Sequence, residues 1–167
     1  MHLPIRLEGT AAVTPPGKKL SSDLDAEIGR PSGWLYRRTG VFSRHFCDSE
    51  DQVDLAVSAG RQALGQAGIP ADEVDIILFA AAVPYQTIPS TAPLIQQRLG
   101  IVDGTCAAFD INSTCLSFLT AVDLLASLLT SGRYRTGLIV ASEIASETMT
   151  AHARIGLASI ERLLGRD

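Results

Sequence analysis

The segment from Leu116 to Leu129, LSFLTAVDLLASLL, is apolar on nearly every side of a helix and is interrupted mainly by Asp123. A helix that is apolar all round is buried all round. This one is too short to cross a bilayer, which takes about 20 apolar residues, so the pattern predicts a core helix. A chain of 167 residues buries only about two-thirds of the surface that its unfolded form exposes. Such a chain cannot easily enclose a helix on every side. The segment therefore predicts a partner surface, from a second domain or a second subunit.

The rest of the pattern alternates strands with helices. Ile76-Ile77-Leu78-Phe79-Ala80-Ala81-Ala82-Val83 is an apolar run without alternation, as expected of a parallel strand buried on both faces. Further strands are predicted over Ile5–Val13, Thr105–Ile111 and Gly137–Ala141. Between Glu50 and Gly68, apolar residues including Val53, Ala56, Ala63, Leu64 and Ala67 form one helical stripe, and Gly68 and Pro70 end it. Ser21-Ser22-Asp23 predicts the N-cap of a short helix through Ile28, and a second short turn carries Trp34, Leu35 and Tyr36. Ser90 predicts the cap of a helix through Leu99. The order is β-α-β-α-β-α-β, which points to an α/β fold with a parallel sheet. Aromatic residues make up 5% and hydrophobic residues 46% of the chain, so Ala, Leu, Ile and Val must build the core.

Charge and cysteine usage narrow the function. With 14 basic and 18 acidic residues the net charge is −4, and no basic patch points to nucleic acid. No stretch of about 18 apolar residues predicts a membrane span, and the start, MHLPIRLEGT, has no long apolar run of a signal peptide. A cytoplasmic location is expected. Cys47, Cys106 and Cys115 lack metal-ligand spacing and are expected to be free thiols, with no bound metal.

Cys115 holds the position of chemical interest, where the strand ending at Ile111 hands over to the apolar helix through Asn112, Ser113 and Thr114. The first turn of a helix has free N–H groups and a partial positive charge. A thiolate is favoured there, and a thiolate is the nucleophile of acyl transfer. Free cysteines are also common as inert core residues, and spacing alone leaves both readings open. The histidines, His2, His45 and His152, offer Cys115 no evident base.

Three blocks carry a resemblance. They are GWLYRRTGVFSRH (Gly33–His45), AGIPADEVDIILFAAAVPYQTIPSTAPLIQQRLG (Ala67–Gly100) and FDINSTCLSFLTAVDLLASLLTSGRYRTGLIVASEIAS (Phe109–Ser146). In this order they resemble the N-terminal half of the β-ketoacyl-acyl-carrier-protein synthase III family of thiolase-like condensing enzymes. The resemblance implies a thiolase-like half: a mostly parallel mixed sheet, helices on both faces, and a central buried helix after the nucleophile. It implies that Cys115 takes an acyl group from acyl-CoA for condensation with malonyl-acyl carrier protein in fatty acid or polyketide synthesis. No tightly bound cofactor is implied, since the CoA thioester is a substrate. By position Trp34 and Arg38 match residues that hold the adenine end of CoA. Ile88 matches a residue that reaches across a homodimer into the partner's acyl pocket, and its small size implies room for a longer or branched acyl chain.

The resemblance runs from about Ile5 to Ser146, so residues 1–146 are expected to form the thiolase-like half-domain, while 147–167 reads as a divergent, helical tail. The family runs to about twice this length, and its second half supplies a His, an Asn and a glycine-rich oxyanion loop. The chain alone is thus expected to be incomplete as a condensing enzyme. It would act with a complementary C-terminal half or as a homodimer, or else serve as a non-catalytic partner subunit or be a truncated fragment.

Overall fold

The structure, a computed structural model, describes residues 5–144. The tail expected over 147–167 lies outside the described residues.

Strand β3 (Ile76–Ala80) is the centre of the fold. It pairs in parallel with β4 (Ala107–Ile111) on one side and β5 (Gly137–Val140) on the other. All five of its residues are buried, as an unalternated apolar run requires. Successive side chains point to opposite faces. Ile77 and Phe79 meet α3 (Gln52–Ala67) and α4 (Thr91–Leu99) through Val53, Ala56, Val57, Leu64 and Ile95. Ile76, Leu78 and Ala80 meet α5 (Ser117–Thr130) through Ala121 and Leu125. Helices on both faces of a parallel sheet are the arrangement expected.

Capping follows the local sequence. Asp51 accepts the N–H groups of Val53 and Asp54 at the start of α3, and Gly68 ends that helix in the left-handed conformation. The Asp51 carboxylate also meets Arg98 of α4 at 2.6 Å, tying the two helices together. The α5–β5 contact depends on Gly137. A Cβ there would lie 2.5 Å from Cδ1 of Leu125, so only glycine lets the helix settle this close.

A small antiparallel ribbon of β1 (Lys18–Leu20) and β2 (Ser43–His45) stands apart from this sheet. It brackets α1 (Ser21–Glu27) and α2 (Trp34–Thr39). At the head of α1, Asp23 reaches back to the Leu20 N–H, so the cap begins one residue earlier than the serines suggest.

Two expectations need correcting. Residues 5–13 are not a strand. A strand needs a sheet edge, and this segment lies instead along α3. The Thr10 N–H donates to the Gln66 side chain at 2.6 Å, and Gly9 fits against the Ala63 carbonyl. Helix α5, expected to be enclosed all round, is covered by this chain on one side only. Ser117, Ala121, Leu125 and Ala126 are buried, whereas Leu116, Phe118 and Leu119 are 60%, 50% and 64% exposed. The sheet supplies one surface and no described element covers the other.

Candidate active site

The C-terminal ends of β3, β4 and β5 converge beside the head of α5, the usual place for a site in a parallel sheet. An open cleft of about 380 Å³ lies there, with Ala82, Thr114, Cys115, Phe118, Ser142 and Glu143 among its walls.

Asn112, Ser113 and Thr114 make the turn that presents Cys115. Thr114 has φ 55°, the one described residue other than glycine with positive φ. Left-handed backbone is unfavourable for a β-branched residue. Three hydrogen bonds hold it there. Asn112 Oδ1 accepts the Thr114 N–H at 3.0 Å, Ser117 Oγ accepts the Ser113 N–H at 2.9 Å, and the same hydroxyl donates to the Thr114 carbonyl at 2.7 Å. The turn closes into a single 3-10 turn, Thr114–Leu116, that runs into α5. Cys115 is thereby exposed at the mouth of the helix, while Cys47 and Cys106 are half-buried. Burial, above all, pushes the Cys106 thiol up and keeps it protonated; nearby Asp75 adds to this. The same holds for Cys47, where Glu50 and Asp48 add to the effect of burial. Cys115 is the accessible nucleophile candidate.

A polar lattice behind the cleft joins the three strand ends. Asn112 Nδ2 donates to the Ala82 carbonyl at 3.0 Å. The Ala82 and Val83 N–H groups both donate to Glu143 Oε1. Gln52 Nε2 donates to the carbonyls of Val83 and Ser142 at 3.0 and 2.7 Å, and Ser142 returns a bond to the Gln52 carbonyl. Ser117, Gln52 and Glu143 belong to this lattice without any local sequence signal that marks them. Only Asn112, in the turn before the cysteine, carried a local signal.

The other sequence candidates sit elsewhere. Trp34 opens α2, with the Arg38 guanidinium 4.6 Å and that of Arg30 5.3 Å from its ring centroid. Ile88, in the loop between β3 and α4, is 85% exposed. Neither Trp34, Arg38 nor Ile88 lines the Cys115 cleft. His45, the one histidine among the described residues, is on β2 with Nδ1 2.7 Å from the Pro15 carbonyl oxygen, and it does not line that cleft either. Among the described residues no helix is long and apolar enough to cross a membrane, and no cluster of His, Cys, Asp and Glu could hold a metal ion.

Comparison with known proteins agrees with this geometry. Residues 109–156, which contain the Cys115 turn and α5, match the family model of 3-oxoacyl-[acyl-carrier-protein] synthase III. A β-ketoacyl-[acyl-carrier-protein] synthase III of Rhodospirillum centenum is 38% identical over 150 residues, 88% of this chain and 46% of that protein. One from Neisseria meningitidis is 34% identical over 139 residues, 83% of this chain and 43% of that protein. The chain thus spans about half the length of the curated relatives it matches. Among solved structures, 3-oxoacyl-[acyl-carrier-protein] synthase III of Aquifex aeolicus superposes with a TM-score of 0.78 at 32% identity, over 83% of this chain and 44% of that one. OleA of Xanthomonas campestris superposes with a TM-score of 0.76 at 26% identity, over 84% of this chain and 43% of that one. The fold shared with these structures is the thiolase-like α/β arrangement. By sequence and by fold, this chain is related to the β-ketoacyl-[acyl-carrier-protein] synthase III family over about half of that family's length.

Proposed function

We propose that this chain is the acyl-accepting half of a condensing acyltransferase of the synthase III type, with Cys115 as the nucleophile. The observation that carries the reading is the exposed thiol at the head of α5, opening on a cleft at the ends of three parallel strands. The Cys115 sulfur attacks the carbonyl carbon of an acyl-CoA. A new C–S bond forms, the bond to the CoA sulfur breaks, and CoA leaves with the thiol proton. In the second stage a malonyl-acyl carrier protein loses CO2, its α-carbon forms a C–C bond to the acyl carbon, and the Cys115 sulfur departs.

Trp34 and Arg38 receive the adenine nucleotide of CoA in this reading, because an indole stacks on a purine and a guanidinium suits phosphate. Ile88 belongs to the acyl pocket of a partner copy in a homodimer, and its exposure supports a role outside its own chain. The second stage needs groups that handle protons and oxyanion charge. A complementary C-terminal half supplies them, with acyl carrier protein as the second partner and the cytoplasm as the setting.

The test is the intact mass of the chain after incubation with acetyl-CoA and longer acyl-CoAs, beside a Cys115→Ala control. An acyl adduct that the control lacks is expected, with hexanoyl accepted at least as well as acetyl. A folded chain that takes up no acyl group would favour the non-catalytic subunit or fragment instead. A strict acetyl preference would sink the assignment of Ile88.

A further inference from the structure

Asp25 is fully buried between α1 and α2, at 0% exposure, and acyl transfer at Cys115 makes no use of it. Each of its carboxylate oxygens accepts one main-chain N–H. Trp34 donates to Oδ2 at 3.0 Å and Leu35 donates to Oδ1 at 2.9 Å. The carbonyl of the same residue accepts the Arg30 N–H at 2.7 Å. Gly33, at φ 81°, turns the chain so that both donors face the carboxylate.

Helix α2 depends on this clamp. It spans 6 residues and none of them is buried. A helix of that length is not stable on its own, and core packing does not hold this one in place. The Asp25 carboxylate accepts two N–H groups of its first turn, one of them, that of Trp34, shared with the Pro31 carbonyl at 3.1 Å. Those groups belong to Trp34 and to its neighbour, so the clamp fixes the backbone that aims the indole. Arg38 lies one turn further on and stacks on that ring, with Arg30 as a second cation.

We propose that Asp25 is the positioning residue that holds Trp34 and Arg38 as a preformed stacking platform for the adenine nucleotide of a CoA thioester. The proposal rests on the reading of Trp34 and Arg38 given above. Preorganisation lowers the ordering cost of binding, so loss of the clamp weakens the nucleotide contact without touching the thiol.

Trp34 is the single tryptophan of the chain, so intrinsic fluorescence reports on this site alone. Wild type and Asp25→Asn are titrated with CoA, and the alkylation rate of Cys115 by iodoacetamide is followed in both. In wild type, CoA is expected to change Trp34 emission saturably. Asp25→Asn is expected to bind CoA roughly tenfold more weakly, on the scale of a lost helix cap, with Cys115 alkylation unchanged. Should Asp25→Asn not fold, Asp25→Glu reads the same comparison, because it keeps the charge and displaces the clamp by one methylene. Equal CoA affinity in wild type and variant overturns the proposal alone. Parallel change in CoA binding and Cys115 alkylation also overturns it, since the residue would then be a general support of the fold. A wild-type emission indifferent to CoA overturns the reading of Trp34, and the proposal with it.

Discussion

Cys115 owes its exposure to two residues beside it. Asn112 is bonded on both sides of its amide, to the Ala82 carbonyl and the Thr114 N–H, so it couples the end of β3 to the turn that carries the thiol. Asn112→Ala removes both bonds and is expected to cost about 1–2 kcal/mol of stability. It should also slow the proposed acyl uptake by Cys115 by roughly tenfold or more, because small displacements of a reacting atom are costly. Thermal unfolding and timed mass spectrometry of the adduct check the two effects. Thr114 makes the opposite case. Its left-handed conformation costs about 1–2 kcal/mol, while glycine in its place is unstrained but loses more entropy on folding. Thr114→Gly is therefore expected to change stability by less than about 0.5 kcal/mol, against about 1 kcal/mol or more for Ala126→Gly within α5. A large loss from Thr114→Gly would mean that the hydroxyl or methyl group, rather than the backbone, holds the turn.

Between elements, the sheet edge at β5 is held from both ends. Asp75, just before β3, accepts the N–H groups of Arg135 and Thr136 at 2.7 and 3.0 Å, and its own N–H donates to the Thr136 carbonyl. The Arg135 amide first, then that of Thr136, hold its carboxyl below the usual carboxylate value. A depressed folded value contributes stability that is complete above the ordinary aspartate range and is lost as pH falls through the folded value. Acid unfolding should accordingly weaken the wild type more steeply below about pH 4 than Asp75→Asn, which begins less stable and changes less. Curves that stay parallel through this range would remove Asp75 from the acid limb. At the other end of the contact, Gly137→Ala pushes a methyl group into buried Leu125. A loss of about 1–3 kcal/mol is expected, and it should shrink in the double variant with Leu125→Ala, read as a coupling energy from chemical denaturation. This scale also separates what a sequence can reveal from what it cannot. The β3 run is legible in the sequence because burial on both faces leaves no alternation, and α3 because its apolar residues form one stripe that Gly68 ends, whereas its cap, Asp51, shows only in the structure. Residues 5–13 depart from the strand that their pattern predicts because an extended pattern does not tell a sheet edge from the side of α3. Gln52 and Glu143 left no signal, since their bonds reach Ser142 and Ala82 across long stretches of chain and depend on the fold being in place.

For the molecule as a whole, the apolar character of α5 and its observed burial do not match, and the mismatch has consequences. Leu116, Phe118 and Leu119 face outward beside Cys115, although the pattern of the segment calls for cover on both sides. Burying such side chains favours association by about 25 cal/mol per Å² removed from water. Exposed apolar surface of this kind marks contact with another surface. The isolated chain is therefore expected to self-associate as its concentration rises through the micromolar range and to bind an apolar dye. Leu119→Lys should weaken both effects while shifting unfolding by no more than about 0.5 kcal/mol, because Leu119 is 64% exposed. Sedimentation velocity across a concentration series, with dye binding measured on the same samples, decides the point. A chain that stays monomeric and dye-free at every concentration would mean that α5 is content with one covered face. Concentration-dependent association that Leu119→Lys removes would identify the outer face of α5 as the docking surface for whatever completes the cleft around Cys115.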